Sequence, residues 1–293
     1  AVVPRVPALS MEEFPYRYEA AAKRNVYIDA LHSLEDVGLR EKDAKLRAFV
    51  KAEKLDLMAK ANPVPRLIQP RSPRYNLSLG VELSHREHLV YEAMDKVFNS
   101  KVVCKGLNAR KRGRLIAEKW GKFTQPVAIG MDASRFDQHV STDALEWEHD
   151  FYVKLATTPA SRRKLAWMLK QQRKNSGLAI ARDGCIPYET EGCRASGDMN
   201  TAFGNILLMC GMFYAFMSMF DNVKWEYVND GDDCVLFLER KDMAKVLPRV
   251  PDWFRDHGFT MVVEKPVYEL ERVEFCQSQP VWTPEGYLMV RNP

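Results

Sequence analysis

The chain has 293 residues, of which 46% are hydrophobic and 28% are charged, and its net charge is +4. These values exclude a disordered or collagen-like protein and are typical of one large globular domain or two modest ones. The mild positive charge permits a nucleic-acid partner without requiring one. Six cysteines without a C-x-x-C pair argue against a zinc framework, and a chain of this size needs no disulfides.

The first half of the chain is predicted to alternate between helices and basic segments. Helix is predicted in the first forty-odd residues, after Pro4, Pro7 and Pro15. Residues 51–75 are basic and rich in proline, which predicts an extended, looping segment. A helix at 83–98 and a second basic cluster, KGLNARKRGR (105–114), follow. The apolar run at 127–131 predicts a buried strand that ends at Asp132.

The second half is predicted to hold two hairpins around one long helix. The predicted elements are helices at 144–156 and 159–174, a hairpin at 176–190, a loop at 192–197, a helix at 198–220, strands at 223–228 and 234–238, an interrupted helix at 241–256, and strands at 259–263, 273–276 and 287–290. The apolar run at 206–220 is short for a membrane span, which favours a buried helix. The sequence Asn-Asp-Gly-Asp-Asp tolerates a tight turn, so acids are expected at the tip of the second hairpin.

Three carboxylates stand out because apolar strands surround them. Asp132 ends a strand, and Asp232 and Asp233 lie at a hairpin tip. Burying charge there is costly, and a bound cation offsets the cost. Magnesium prefers such oxygen ligands, and two metal ions can assist an in-line phosphoryl displacement. The alternative is an ordinary Asp-Gly turn, because an isolated G-D-D triplet is weak evidence.

Three ordered segments carry a resemblance that goes further. MDASRFD (131–137), SGDMNTAFGN (196–205) and NDGDDC (229–234) resemble motifs A, B and C of viral RNA-dependent RNA polymerases. FVKAEK (49–54), PVPRLIQPRSPRYNL (63–77) and VEFCQSQPV (273–281) are similar to the polymerases of plant tombusviruses and their relatives. The likeness covers residues 49–281, most of the chain.

The resemblance implies an α+β, right-hand polymerase fold, whose palm has a central antiparallel sheet flanked by helices. It implies fingers with an N-terminal extension at 1–125, palm at 126–157, a fingers insertion at 158–190, palm at 191–275, and the end of motif E with the start of a truncated thumb at 276–293. The upstream, often membrane-targeting region of such enzymes is expected to be absent. Localisation is expected in the host cytoplasm, at membrane-associated replication complexes reached through regions outside this chain.

The same resemblance implies the site residues and ligands. Asp132 and Asp232 match the metal ligands, Asp233 a secondary ligand, and the expected ion is Mg²⁺, with Mn²⁺ able to substitute. The residues matched to nucleotide binding are Asp137, Ser196, Gly197, Thr201, Asn205, Arg66, Arg71, Lys51 and Lys54. Lys265 is matched to the general acid, and Phe275, Cys276 and Gln277 to the primer grip. The expected partners are template and nascent RNA, ribonucleoside triphosphates and other viral replication proteins.

Two other functions remain open at this point. A reverse transcriptase shares the palm, but that class usually has an aromatic residue before its paired acids and a bulky residue that blocks the 2′-hydroxyl; Gly231 and Asp137 favour RNA synthesis instead. A non-catalytic RNA-binding module is the second alternative, and the three intact acids argue against it.

Overall fold

A computed structural model describes residues 3–53 and 64–292 of the chain. Helices and strands are both abundant, which agrees with the predicted α+β class. By internal contacts the chain divides into two units. Unit I consists mainly of His88–Phe136 and Ala202–Pro293, and unit II of Pro4–Glu87 and Asp137–Thr201.

The helices and strands follow in chain order. The α-helices are α1 (Ala21–Asp36), α2 (Pro73–Leu83), α3 (Glu87–Val97), α4 (Ala109–Trp120), α5 (Phe136–His139), α6 (Thr142–Leu155), α7 (Pro159–Lys170), α8 (Thr201–Met217), α9 (Met243–Val246) and α10 (Val250–Asp256). The strands are β1 (Leu46–Val50), β2 (Leu67–Ile68), β3 (Pro126–Ala133), β4 (Lys174–Ala181), β5 (Gly184–Glu191), β6 (Trp225–Asp230), β7 (Asp233–Glu239), β8 (Met261–Val263), β9 (Ser278–Thr283) and β10 (Gly286–Arg291).

Unit I is built on a four-stranded antiparallel sheet with the order β6-β7-β3-β8. The run CVLFL in β7 is fully buried, as expected for a strand that is covered on both faces. On one face, Tyr227 of β6 stacks on Phe213 of α8 with ring centroids 4.3 Å apart. On the other face, Val235 and Phe237 of β7 share a core cluster with Ile116 of α4. Helices therefore flank both faces of this sheet.

The apolar run that was predicted to be a buried helix forms α8. Eleven of its residues are buried, including Phe213 and Phe216, and Phe213 also contacts Phe254 of α10, with centroids 5.6 Å apart. In the ranges that the structure describes, no helix combines the length and apolarity that crossing a bilayer requires.

A second hairpin in unit I, formed by β9 and β10, packs on α4. Its strands pair antiparallel from Gly286 opposite Thr283 to Arg291 opposite Ser278. The approach of the helix is very close, because a Cβ atom at Gly113 of α4 would lie 2.6 Å from the carbonyl oxygen of Tyr287. Glycine is therefore needed at this position of the helix.

Unit II contains a second four-stranded sheet with the order β2-β1-β4-β5. β1 and β4 are parallel, and the other neighbours are antiparallel. Helices α1 and α2 enclose an aromatic and aliphatic core that includes Phe14, Tyr27 and Leu77. The Tyr75 hydroxyl of α2 donates a 2.7 Å hydrogen bond to the carbonyl of Met168 in α7.

Most predicted elements are confirmed, and three differ. The second basic cluster, for which no element was predicted, lies largely on α4, capped by Asn108. The looping segment predicted at 51–75 gives way to α2 at Pro73, where Ser72 caps the helix and proline occupies its first turn. α8 begins at Thr201, not at residue 198. The strand predicted at 273–276 is absent, because the chain turns there and the next strand in the described chain is β9.

Candidate active site

Two of the three singled-out carboxylates are brought together by the pairing of β3 with β7. In that register the Cα of Asp132 is opposite the Cα of Asp233, where both strands reach the same end of the sheet. Asp132 is exposed and Asp233 is half-buried. Asp132, at the next-to-last position of β3, is therefore a cross-strand neighbour of Asp233.

The third acid lies on the turn between β6 and β7. Asp230 pairs with Asp233, so Gly231 and Asp232 form a two-residue loop. Gly231 has φ +96°, and nothing lies within 4 Å of the place where a Cβ would be. The backbone conformation therefore selects glycine here, as in hairpin turns with positive φ at the first central position. This turn presents Asp232 at the surface.

Asn229 holds this turn from inside the protein. Its side chain is 0% exposed, and its amide donates hydrogen bonds to the carbonyl of Gly231 at 2.6 Å and of Asp233 at 3.3 Å. Its carbonyl oxygen accepts the N–H of Gly231 at 3.2 Å. Because three backbone groups of the turn bind one buried side chain, Asn229 fixes the conformation that carries Asp232.

The segment matched to the primer grip contacts Asp233. The N–H of Cys276 donates a 2.8 Å hydrogen bond to the Asp233 carboxylate. Cys276 and Gln277 both have left-handed backbone, with φ +52° and +56°. Phe275 beside them is buried and pairs with Ser278. Burial raises the pKa of the Cys276 thiol, which suits a packing residue and not a nucleophile.

The charge environment of Asp233 differs from that of an isolated surface acid. Burial raises the pKa of Asp233 to about 6, opposed by the hydrogen bond from Cys276 and reinforced by the carboxylates of Asp232 and Asp132. Asp233 therefore lies within the electrostatic influence of the other two carboxylates, and like charges at one place favour a bound cation.

Arg112 of α4 forms an ion pair with Asp230, the residue before the turn. The Nε of Arg112 also donates a 3.1 Å hydrogen bond to the carbonyl of Leu107. Two other arginines of the second basic cluster contact the β9–β10 hairpin: Arg110 pairs with Glu285 at 2.8 Å, and Arg114 donates to the Glu285 carbonyl at 3.1 Å. Part of this cluster is thus engaged in ion pairs and hydrogen bonds within unit I.

In unit II, the loop matched to motif B (residues 196–198) lies against residues 67–71. The Ser196 hydroxyl accepts the N–H of Gln69 and donates to the carbonyl of Leu67, both at 3.3 Å. A Cβ at Gly197 would lie 2.6 Å from the Cα of Pro70. This close approach explains the glycine at 197 without invoking freedom of movement.

The remaining residues matched to motifs A and B lie near the start of α8 or of α5. Thr201 begins α8 and its hydroxyl donates a 2.8 Å hydrogen bond to the carbonyl of Ala195. Asn205 is one turn further along α8 and is buried. Asp137 lies in α5, and its backbone carbonyl accepts the N–H of Arg194 at 2.7 Å. The side-chain roles assigned to these residues stay predictions.

The basic residues matched to triphosphate binding divide into two kinds. Arg66 is exposed and pairs with Glu53, which also pairs with Lys51 at 3.2 Å. The hydrogen bond from Arg66 lowers the pKa of Glu53 to about 2, and Lys51 contributes in the same direction. Arg71, by contrast, is buried in an ion pair with Asp198. Lys54 lies outside the described residues.

Comparison with known proteins identifies the class. A family model described as viral RNA dependent RNA polymerase matches residues 1–293. The chain belongs to this family. It is 47% identical to the RNA-directed RNA polymerase of Tobacco necrosis virus (strain A) over 285 residues, 97% of this chain and 39% of that protein. The corresponding enzymes of Turnip crinkle virus and Tomato bushy stunt virus (strain Cherry) are 44% and 45% identical, over 96% and 94% of the chain.

The resemblance read from the motifs, including its tombusvirus-like character, is therefore confirmed. The chain spans 39% or less of the length of these three relatives. Membership of the RNA-dependent polymerase family favours that class over the reverse transcriptase alternative.

The carboxylates of this site are of the type that binds a divalent cation, but their side chains are not positioned around a common point. Within residues 3–53 and 64–292, no group of three or more His, Cys, Asp or Glu side chains is placed so that it could hold a metal ion. Asp132, Asp232 and Asp233 nevertheless supply the hard oxygen ligands that Mg²⁺ prefers. Burial is the main cause of the raised pKa of Asp233, and the carboxylates of Asp232 and Asp132 add to it; a cation would offset this negative charge. The donor set is therefore suitable.

Sequence reasoning missed the residues that support these acids. Asn229 could have been found, because an asparagine before a turn tends to bond to the backbone two residues on. Arg112 and Asp230 gave no local signal, since their ion pair joins positions far apart in the chain. Lys265, matched to the general acid, is exposed just after β8, and its role stays a prediction.

Proposed function

We propose that this chain carries the catalytic centre of a viral RNA-directed RNA polymerase, which adds ribonucleotides to the 3′ end of an RNA on an RNA template. The observation that supports it best is the pairing of β3 with β7, which sets Asp132 opposite Asp233 beside the Gly231–Asp232 turn. This arrangement occurs in a chain of the polymerase family. In this proposal the four-stranded sheet of unit I is the palm of a right-hand fold.

Asp132 and Asp232 would hold Mg²⁺, with Asp233 as a secondary ligand, and Mn²⁺ would be able to replace it. Bound there, such ions would stabilise the negative charge on the attacking 3′-oxygen and on the leaving pyrophosphate. The protein's own contribution is to keep the carboxylates in place. Asn229 fixes the turn, and the Cys276 N–H fixes one Asp233 oxygen.

The 2′-hydroxyl of the incoming ribose both donates and accepts hydrogen bonds, so it needs an acceptor and a donor from the protein. By the resemblance, Asp137 is the acceptor, and Asn205 with Ser196 or Thr201 assists. Thr201 and Asn205 lie four residues apart on α8 and share a face of that helix. This geometry supports a joint role for the two side chains.

Arg66 is the best candidate for the triphosphate, because its exposed guanidinium suits the planar recognition of phosphate oxygens. Lys51 shares its partner Glu53, and both cations would be released from that carboxylate when phosphate binds. Lys54 is assigned to the same ligand by resemblance. Lys265 is proposed as the acid that protonates pyrophosphate.

The substrates in this proposal are template RNA, nascent RNA and ribonucleoside triphosphates. Other viral replication proteins are the proposed partners. The proposed place of action is the host cytoplasm, at membrane-associated replication complexes reached through regions outside this chain.

The decisive experiment measures RNA synthesis on a primed RNA template with Mg²⁺ or Mn²⁺. The chain and a longer polymerase that contains it are each compared with their Asp232→Asn variants. We expect Asp232→Asn to lower the rate at least about a hundredfold, because a metal ligand loses its charge. Asp221→Asn, at an exposed aspartate outside the site, is the matched control and should synthesise at the wild-type rate.

Three results would contradict the proposal in different ways. Synthesis by Asp232→Asn within twofold of wild type would refute the metal assignment. Preference for deoxyribonucleotides would identify a reverse transcriptase. RNA binding without extension by the longer protein under either metal would indicate the non-catalytic module.

A further inference from the structure

Arg71 is buried, with only 4% of its surface exposed, and all five of its guanidinium N–H groups are engaged within the protein. Nε and one Nη bond to the two carboxylate oxygens of Asp198, at 2.6 and 3.2 Å. The other contacts are to the Asn175 side chain at 2.5 Å and to the carbonyls of Ala44 and Gln171 at 2.6 and 3.3 Å. Arginine has five such donors and no acceptor, so none remains for a phosphate in this arrangement.

The acceptors of Arg71 come from four separate parts of unit II. Ala44 precedes β1, Gln171 follows α7, Asn175 lies in β4, and Asp198 lies in the loop at 196–198. A planar fork that reaches several acceptors at fixed angles is a property of arginine that lysine lacks. Arg71 therefore joins these four backbone segments at one point.

The contact with the loop involves three consecutive loop residues, 196–198, and four residues of the 67–71 segment. Leu67 and Gln69 bond to Ser196, Pro70 lies against Gly197, and Arg71 pairs with Asp198. Each carboxylate oxygen of Asp198 accepts a hydrogen bond from Arg71, and its backbone carbonyl accepts the N–H of Thr201, the first residue of α8. Arg71 is thus connected, through Asp198, to the first residue of α8.

We propose that Arg71 is a positioning residue of the polymerase: through Asp198 it fixes the 196–198 loop and the start of α8, and it does not contact the triphosphate. This inference rests on the proposed function, because the loop and Thr201 are assigned there to the nucleotide. It differs from the triphosphate contact that the resemblance implied for Arg71. It leaves that contact to the exposed Arg66.

The test compares Arg71→Lys, Asp198→Asn and the double variant with Arg74→Lys. Arg74 is the matched control, because it lies in the same segment but bonds to Asp43, Ser33 and two carbonyls of the 37–38 turn instead of the loop. Backbone hydrogen exchange at residues 196–201 is measured first, in the absence of nucleotide. We expect Arg71→Lys and Asp198→Asn to speed exchange there by about ten- to a hundredfold, since hydrogen bonds to charged groups are lost.

Steady-state synthesis then separates positioning from substrate contact. Arg71→Lys is expected to lower kcat about tenfold or more while the KM for nucleotide changes less than about threefold. The double variant should be no worse than the poorer single variant, because both changes break one interaction. Arg74→Lys should match wild type in exchange at 196–201 and in kcat.

Two outcomes would overturn the inference. The first is exchange at 196–201 unchanged in both single variants. The second is a KM for nucleotide raised tenfold by Arg71→Lys with kcat unchanged, which would restore the triphosphate contact. If Arg71→Lys does not fold, Asp198→Asn is judged by the same criteria. The exchange experiment needs no catalysis, so a failure of the polymerase proposal remains distinguishable from a failure of this one.

Discussion

Replacing Asn229 by alanine should loosen the turn that carries Asp232. The substitution removes two donated hydrogen bonds and one accepted from Gly231. The side chain is completely buried, so water cannot take over the hydrogen bonds that it made. Each buried backbone group left without a partner costs about 1–3 kcal/mol. Three such groups with partial relaxation give an expected loss of about 3 kcal/mol, a large part of the 5–15 kcal/mol that is typical of a domain.

Urea unfolding measures this loss directly, and RNA synthesis measures its effect on the site. We expect the rate of synthesis to fall about tenfold or more at a temperature where Asn229→Ala is still folded, because the turn carrying Asp232 is no longer fixed. Asn229→Asp retains the acceptor for the Gly231 N–H but loses both donors and adds a negative charge, so it should lose activity as well. Asn25→Ala, on the exposed side of α1, is the control and should unfold like wild type.

One result would refute this reasoning. If Asn229→Ala unfolds at the same urea concentration as wild type and synthesises RNA within twofold of it, the hydrogen bonds of Asn229 do not determine the conformation of the turn.

Two further predictions concern stability. Gly113→Ala should destabilise the protein by about 1–3 kcal/mol by overpacking, because the new Cβ would lie 2.6 Å from the Tyr287 carbonyl oxygen. The control is Gly121→Ala, whose new Cβ would lie no closer than 3.4 Å to another atom. Thermal unfolding compares the two variants, and equal melting temperatures would contradict the prediction. Burial lowers the pKa of His149 to about 4, below its unfolded value of about 6.5. The unfolded state therefore takes up the proton first, and roughly 3 kcal/mol present above pH 6.5 should be lost as the pH falls towards 4. Urea titrations at several pH values should show that the free energy of unfolding falls less steeply with decreasing pH in His149→Gln than in wild type. If it falls equally steeply in both proteins, His149 is not the cause of the loss.

Local sequence patterns predicted the elements that depend on local chemistry. The β6–β7 hairpin follows from two apolar runs around Gly231, whose positive φ needs glycine. The hairpin of β4 and β5 and the buried helix α8 likewise follow from periodicity and turn residues. These features were predicted because each depends on residues within one short stretch.

The differences arise where distant residues decide the structure. The turn at Cys276 and Gln277 places two non-glycine residues at positive φ, and its N–H binds Asp233, 43 positions away in the chain. Nothing in the local sequence requires that turn, so a strand was predicted. No sequence pattern indicated that Arg71 is buried, because the oxygen atoms that accept its five hydrogen bonds belong to other segments of the chain. The start of α2 was different, since Ser72 and Pro73 are a recognisable helix start that the nearby prolines obscured.

The interleaving of the two units limits what truncation can reveal. Unit I takes residues from both sides of 137–201, and unit II from both sides of 88–136. No single cut releases either unit both whole and alone, because each unit is formed by two main segments that are separated in the sequence. During synthesis the last segment of unit II, ending at Thr201, is made before Ala202–Pro293 of unit I. The strand that carries Asp132 is therefore synthesised about a hundred residues before its partner β7, so Asp132 and Asp233 cannot come together until β7 has been made.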